Sequence, residues 1–519
     1  MPAQDQAATI AFLKQQAAAP EPSDSCSVIE THISIVILGG DRVFKLKRAI
    51  RLPYLDFSTA ALRLDACGRE LELNRRTAPD IYRAVRRITR QPDGLAFDGD
   101  GELVDAVVEM ARFDQDALLD GLAHQGGLTP GMLADLAQTI STFHARVVID
   151  RSRSGAGVMQ QVLDINAQAF ASTSVFAADE IAALDTAMRA TLQRHRSLLD
   201  SRAAHGKVRR CHGDLHLRNI CLVDGAPTLF DCIEFDDDIA TVDVLYDLAF
   251  LLMDLWHRDL AREANVIFNR YLDAGDEADG LPLLAFFMAV RAAVRAHVTA
   301  TQARTDAGLR TAARSYFTLA RRLLVPVPVT LLAIGGFSGT GKSSVAGALA
   351  HRLGPAPGAR ALSSDRIRKR MHHVPAEARL PEAAYAPEVS ARVYAALMAE
   401  ARVTLAAGHA VVVEAVFDRA EDRRAIADVA AGLGVDFKGL WLHAPPEILF
   451  ARVNARRNDP SDATAAIVEA QLARATGAID WAMVDTVGTP SAVAIRAAAA
   501  AGLEETELQP ASSASSPME

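Results

Sequence analysis

The sequence predicts two domains of different class: an α+β domain made of a small β-rich lobe and a helical lobe, then an α/β domain with a parallel sheet. Three observations predict it. Strand and hairpin patterns concentrate between Val28 and Met110, and helical periodicity dominates from there to residue 322. At Val325-Pro-Val-Pro-Val329 the character changes to an apolar strand, a glycine loop, and helices alternating with strands. The chain has 519 residues, half of them apolar, which is enough for more than one core.

Residues 1–27 hold a short helical pattern (Ile10, Phe12, Leu13), followed by a linker at Pro20-Glu-Pro-Ser-Asp24. The β-branched run Ile33–Leu38 reads as a strand, Gly39-Gly40-Asp41 as a hairpin turn and Val43–Lys47 as the returning strand. A helix over Ala60–Thr77 precedes strands at Ala84–Thr89 and Leu103–Met110. Residues 131–205 are mostly helical, with a break at Gly155-Ala-Gly157. Short strands Ile220–Val223 and Pro227–Phe230 flank Asp224-Gly225, and residues 243–322 return to helix. The first domain therefore spans 28–324 and the second 325–504. Residues 505–519, small and polar, read as a disordered tail.

A formal net charge of −9 supplies no basic field, which argues against nucleic acid or an anionic membrane surface as partner. The longest uncharged stretch, Leu323–Gly341, is broken by Pro326 and Pro328 and does not read as a membrane span. The N-terminus carries Asp5 and no long apolar segment, so no secretory signal is visible. Five cysteines without CxxC spacing point to a reducing, cytoplasmic setting and no structural zinc. Of 55 basic residues only seven are lysine, among them Lys45, Lys47, Lys342 and Lys369. Because arginine does not replace a compact ammonium, lysines retained in so arginine-rich a chain mark places to look.

One such place is Gly336-Phe-Ser-Gly-Thr-Gly-Lys342-Ser343, directly after the strand Val329–Ile334 and before a helix at Ser344–Leu353. This is G-x4-G-K-[ST] in the required strand–loop–helix order. Glycines 336, 339 and 341 let the backbone N–H groups of Ser338, Gly339, Thr340, Gly341 and Ser344 converge on ATP phosphates. Lys342 then reaches the β/γ oxygens and Ser343 ligates Mg²⁺. Downstream, Asp365 follows an apolar pair at a strand end, where it either orients an acceptor hydroxyl or simply caps a helix. Glu414 ends the apolar strand Ala410–Val413, where a carboxylate suits metal-bound water or the acceptor. Arg452 and Arg456 stand one turn apart, either closing over the triphosphate or forming a solvated basic face. Through GGFSGTGKSS, SSDRIRKR, VVVEAVFD and ARVNARRNDPSDA, residues 329–490 resemble the small P-loop kinases grouped as AAA_33 or zeta-toxin-like. The resemblance implies phosphoryl transfer to a small acceptor. That family more often has Asp where this chain has Glu414.

The first domain holds a second constellation, Cys211-His-Gly-Asp214-Leu-His216-Leu-Arg-Asn219 and then Asp231-Cys-Ile-Glu234. An Asp with Asn five residues on and a second Asp twelve beyond that has kinase-fold spacing. In such a site Asp214 orients or accepts the proton of the substrate hydroxyl, while Asn219 and Asp231 hold Mg²⁺ on the ATP phosphates. His212 reads as structural support of the loop. Upstream, Lys45 on its strand and Glu70 on the next helix supply the ion pair that positions the α/β-phosphates, with Lys47 on the same strand face as a competitor. Thr31-His-Ile-Ser34 takes the place of a phosphate-covering turn, and Val107–Ala111, with Glu109 and Ala111, that of the segment whose backbone receives adenine. The acidic run Glu234–Asp238, with Asp243 and Asp247, either binds a cationic acceptor such as an aminosugar or serves as structural carboxylates.

Over nearly all of residues 28–320 these features resemble the aminoglycoside phosphotransferase (APH)-like kinases, whose fold is the bilobal protein-kinase-like one. His-Gly-Asp stands here for His-Arg-Asp and Asp-Cys-Ile-Glu for Asp-Phe-Gly, and no Ala-Pro-Glu follows. Those departures imply a small-molecule acceptor, not a protein. The order of the two domains resembles bacterial fused APH/AAA-type ATP-binding proteins. The expectation is a phosphotransferase using ATP and Mg²⁺ at two sites on sugar, aminosugar or aminoglycoside-like hydroxyls. Two other readings compete: a nucleic-acid 5′-hydroxyl kinase in the second domain, or one domain acting as a non-catalytic ATP-binding module.

Overall fold

The computed structural model describes residues 5–18, 26–52, 55–303, 306–455 and 461–503. The linker at 20–24, Arg456 and the tail at 505–519 lie outside the described residues. The chain forms two compact units, 1–263 with 286–324, and 264–285 with 325–519. Residues 264–285, which the sequence reading keeps within 28–324, thus cluster with the second unit.

In the first unit a six-stranded antiparallel sheet runs Ser27–Glu30, Ser34–Gly39, Arg42–Lys47, Leu103–Ala111, Tyr82–Gln91, Gly94–Phe97. Alternation along its strands feeds two cores. Ile37, Phe44, Leu46 and Val107 pack beneath Leu13 and Ala17 of the helix Ala7–Ala18, so the N-terminal helix is part of this lobe. Leu38, Val43, Val108 and Tyr82 face the other way with Cys67 of the helix Ala60–Asn74, which Thr59 caps. The hairpin at Gly39-Gly40-Asp41 forms as expected, with Gly39 opposite Arg42. The short strand Gly94–Phe97, which the sequence reading lacks, pairs with Tyr82–Gln91.

The helical part contains Pro130–Arg146, Gly155–Ala171, Ala178–Ala204, Val244–His257 and Ala307–Leu323. The stretch Ala278–Ala303 is long and apolar enough to cross a bilayer, but most of its apolar window is buried inside the protein. Strands Ile220–Val223 and Ala226–Leu229 form the expected hairpin, which brings Asn219 beside Phe230 (N–H to Asn219 O, 3.0 Å).

The second unit is a five-stranded parallel sheet in the order Arg360–Ser363, Val411–Glu414, Thr330–Gly335, Asp436–His443, Ala482–Asp485. Its inner strands are nearly continuous apolar runs because helices cover both faces. Val345 and Leu349 of Lys342–Leu349 and Val493 and Ala497 of Pro490–Ala500 pack on one side. Val393, Leu397 and Ala401 of Pro387–Ala406 and Ile426 of Ala420–Ala431 pack on the other. The edge strand Arg360–Ser363 is met by the helix Ala261–Ala274. Asn265 Nδ2 donates to the carbonyls of Pro357 and Ala359 (3.0 Å each), and Asn269 Oδ1 accepts from Ala361 N–H (2.7 Å). Side-chain amides there occupy backbone groups that an edge strand otherwise leaves open.

Candidate active sites

In the first unit the strand Arg42–Lys47 directs Lys45 and Lys47 to one face, towards Glu70 of the helix Ala60–Asn74. The two lysines divide the carboxylate: Lys45 Nζ lies 2.7 Å from Glu70 Oε1 and Lys47 Nζ 2.5 Å from Oε2. Their second partners separate them. Lys45 pairs with Asp231, whose side chain is 38% exposed, whereas Lys47 is wholly buried against Glu234. Burial opposes charge on Lys45, but Asp231 and Glu70 more than offset it and raise its pKa. Lys45 is therefore the ammonium beside a solvent-exposed carboxylate, and Lys47 is an internal counter-ion.

Asp214 and Asn219 lie on one short turn. Asn219 Nδ2 donates to both Asp214 O and Asp214 Oδ2 (2.9 Å each), and His216 Nε2 is 3.3 Å from the same carboxylate oxygen. Burial works against ionisation of Asp214, but His216, Arg295 and His212 outweigh it and hold the carboxyl below the usual carboxylate range. Asp214 is thus an anion fit to orient a hydroxyl. With its side-chain Nδ2 donating to Asp214, Asn219 has its side-chain Oδ1 to offer, which accepts no hydrogen bond among the described residues. Together with the Asp231 carboxylate it forms an all-oxygen set suited to Mg²⁺.

The loop is held from below. Asp247 accepts from His212 N (3.2 Å) and Gly213 N (2.8 Å) while pairing with His144 (3.1 Å), and Arg291 donates to Gly213 O (3.1 Å). Gly213 has φ +85°, and a Cβ there would come 2.9 Å from Ala240 Cβ, so the turn requires glycine. The His212 ring bonds Phe230 O (2.9 Å), which ties the two halves of the site together and supports its structural reading. Tyr82 and Asn74, absent from the sequence reading, accept from the N–H groups of Asp231 (3.2 Å) and Cys232 (2.8 Å).

The acidic run is consumed internally. Glu234 pairs with Lys47, Asp236 caps a short helix, and Asp237 binds Arg69 (2.8 Å) and Arg210 (2.9 Å). Asp238 binds Arg153 (2.5 Å), Asp243 binds Arg202 (2.8 Å), and Asp247 anchors the loop. Each of these carboxylates thus has a partner within the unit, as the structural alternative expects. Glu109 and Ala111 fall inside the sheet: Glu109 pairs with Arg86 (3.2 Å), and the Ala111 N–H donates to Ile81 O (2.7 Å). The Ala111 N–H is thus spent within the sheet, which leaves the other backbone groups of the segment for adenine. The Thr31–Ser34 turn closes on itself, with Thr31 Oγ1 accepting from Ser34 N (2.9 Å).

In the second unit all five parallel strands end at one edge, where α/β sheets bind ligands. A cavity of about 1220 Å³ opens there, lined by Lys342, Ser343, Asp365, Glu414, Arg452 and Thr486 among others. The loop has the backbone its glycines promise. Gly339 sits at φ +88°, and a Cβ would lie 2.8 Å from Leu449 O. Gly341, also at positive φ, starts the helix Lys342–Leu349. Lys342 Nζ bonds the carbonyls of Gly336 (2.8 Å) and Phe337 (3.1 Å), and Ser338 N–H donates to Gln471 Oε1 (2.8 Å). Thr340, Gly341 and Ser344 line the cavity with them. Burial raises the pKa of Glu414, against the lowering influence of the Ser343 hydroxyl, Arg366 and Lys342. Strand register sets Glu414 beside Ile334, one residue before the loop's strand ends, so Ser343 and Glu414 supply the oxygen donors that a hydrated Mg²⁺ needs.

Asp365 is the second residue of the helix Ser364–Met371 and faces the cavity; the cap position belongs to Ser363. Arg452 is not on a solvated face. It spans from Gly339 O (3.3 Å) to Thr486 O (2.6 Å), joining the phosphate loop to the loop after the last strand. Asp418 is a cavity residue the sequence reading missed. It follows Phe417, held at φ +53°, and pairs with Arg474 (2.7 Å), while Arg423 binds the carbonyls of both Phe417 (2.8 Å) and Asp418 (3.2 Å). A bulky residue in that conformation is uncommon and tends to mark functional sites. Its place just beyond a parallel strand was the available signal.

Comparison with known proteins agrees with this geometry. Residues 71–285 match the family model described as the phosphotransferase enzyme family (APH), and residues 331–478 match that of an AAA domain, AAA_33. An uncharacterised protein of Mycobacterium tuberculosis is 29% identical over 480 residues, covering 89% of this chain and 92% of the relative. Among solved structures, a choline/ethanolamine kinase family protein from Mesorhizobium loti covers 61% of this chain and 94% of its own (13% identity, TM-score 0.37). A gluconokinase from Sinorhizobium meliloti covers 34% of this chain and 94% of its own (22% identity, TM-score 0.24). The chain carries an N-terminal kinase-like domain of the phosphotransferase enzyme family and a C-terminal P-loop domain of the AAA_33 family.

Proposed function

We propose that the protein is an ATP-dependent phosphotransferase with two nucleotide sites, each passing the γ-phosphoryl group to a hydroxyl of a small molecule. The observation that carries this reading is in the first unit: Lys45 pairs with Glu70 and Asp231, Asn219 hydrogen-bonds Asp214, and one hairpin joins the two halves, Phe230 N–H donating to Asn219 O. Lys45 binds the α/β-phosphates. Asp214 orients the acceptor hydroxyl towards the γ-phosphorus and takes its proton as the new O–P bond forms and the bond to the β-phosphate oxygen breaks, releasing ADP. Asn219 and Asp231 are the residues that would hold Mg²⁺, which when bound would neutralise charge on the phosphates. In the second unit Lys342 and the loop amides bind the phosphates, Ser343 with Glu414 supports the metal, and Asp365 faces the acceptor. All five cysteines are free thiols, which supports a reducing, cytoplasmic setting.

The test is ADP release against a panel of hydroxylated small molecules, with wild type, Asp214→Ala and Lys342→Ala. Asp214→Ala should lower first-site turnover by about a hundredfold or more while ATP still binds. Full activity in Asp214→Ala on every acceptor that wild type uses refutes the assignment of Asp214.

A further inference from the structure

The helix Leu284–Ala303 lies against the catalytic loop of the first unit. Its Arg291 donates to Gly213 O (3.1 Å) and sits over the rings of Tyr246 (3.9 Å) and Phe250 (4.7 Å). Arg295 is one turn further on, hence on the same helix face. Its guanidinium lies over the Tyr316 ring (5.6 Å), and Tyr316 is itself stacked on His257 at 3.7 Å. Arg295 is half-buried, and it makes no ion pair or hydrogen bond among the described residues. It is near enough to Asp214 for its charge to help keep that carboxylate ionised. Elsewhere around the loop the charges are satisfied. Asp254 takes Leu217 N–H and Arg258 (3.1 Å each), and Asp120 takes Arg258 (2.5 Å) and Arg218 (3.5 Å). The run Glu234–Asp238 is spent as described above. The fixed charge bordering Asp214 is therefore cationic, from Arg295, and the carboxylates nearby already have partners within the unit.

Resting on the two-site phosphotransferase reading, we propose that the acceptor of the first site is an anionic hydroxylated small molecule, whose carboxylate or phosphate is bound by Arg295 while its hydroxyl lies at Asp214. A guanidinium held by an aromatic face, with its planar edge of donors unspent, suits bidentate recognition of an oxyanion. Its partial burial costs solvation that an anionic ligand restores.

The experiment uses full-length protein carrying Lys342→Ala, so that the second site is silent. Gluconate, glycerate, glucose 6-phosphate, glucose, choline and an aminoglycoside are assayed for ADP release and, with a non-hydrolysable ATP analogue and Mg²⁺ present, for binding by calorimetry. Anionic members should turn over or bind in preference to choline and the aminoglycoside, and the carboxylate and phosphate arms identify which oxyanion is used. Arg295→Gln should raise KM or Kd for the preferred anion by about tenfold or more, with KM for ATP within about twofold, and Arg295→Lys should recover part of the loss. Preference for a cationic or neutral acceptor, no binding or turnover of any anionic member, or an Arg295→Gln effect on kcat alone each overturns the proposal. The broader reading fails separately, if Lys45→Ala leaves nucleotide binding at this site unchanged.

Discussion

Lys45 and Lys47 stand two residues apart on one strand, so alternation sends both ammonium groups to the same carboxylate. What divides their roles lies almost two hundred residues away, where Asp231 meets the first and Glu234 the second. Removing them should therefore have different consequences. Lys47→Met leaves Glu234 buried without its counter-ion and should lower stability by about 3 kcal/mol or more, read as a shifted denaturant midpoint. Lys45→Ala should keep the midpoint near wild type and lose ATP affinity. Equal effects of the two on ATP affinity at unchanged stability would contradict the division. Residues whose partners are close in sequence were legible without the structure: the phosphate loop, and the Asp214–Asn219–Asp231 set joined by one hairpin. The choice between the lysines was not, nor was Arg452, because distant partners decide both.

At the scale of elements, local pattern served well where local turn chemistry decides the fold. The hairpins at Gly39-Gly40 and Asp224-Gly225 and the strand–loop–helix around Lys342 all formed where the residues indicated. The helix Ala261–Ala274 shows the limit. Its periodicity announces a helix, but its destination depends on side-chain amides matching an edge strand some ninety residues later. Beyond those amides, Asp273 draws together Arg360 (2.6 Å), Arg366 (3.1 Å) and Arg370 (3.3 Å). Arg366 and Arg370 belong to the helix Ser364–Met371, which carries Asp365 in its first turn. Burial already lowers the pKa of Arg360, against the raising effect of Asp273. Asp273→Ala should then destabilise the second unit by about 3 kcal/mol and speed hydrogen exchange in residues 359–372, measured by mass spectrometry. Unchanged exchange there would show that the carboxylate does not hold the edge strand and helix.

For the whole molecule, the fold class of each domain was readable because each announces itself by period, antiparallel alternation first and buried parallel strands later. Chemistry concentrates in two separate constellations, and each includes lysine in a chain that otherwise prefers arginine. The claim at this scale is that one chain binds two nucleotides. Calorimetric titration with a non-hydrolysable ATP analogue and Mg²⁺ measures it directly in wild type, Lys45→Ala, Lys342→Ala and the double variant. Two nucleotides per chain are expected in wild type, one in each single variant and none in the double. A wild-type stoichiometry of one, or two nucleotides still bound with undiminished affinity in either single variant, would contradict it.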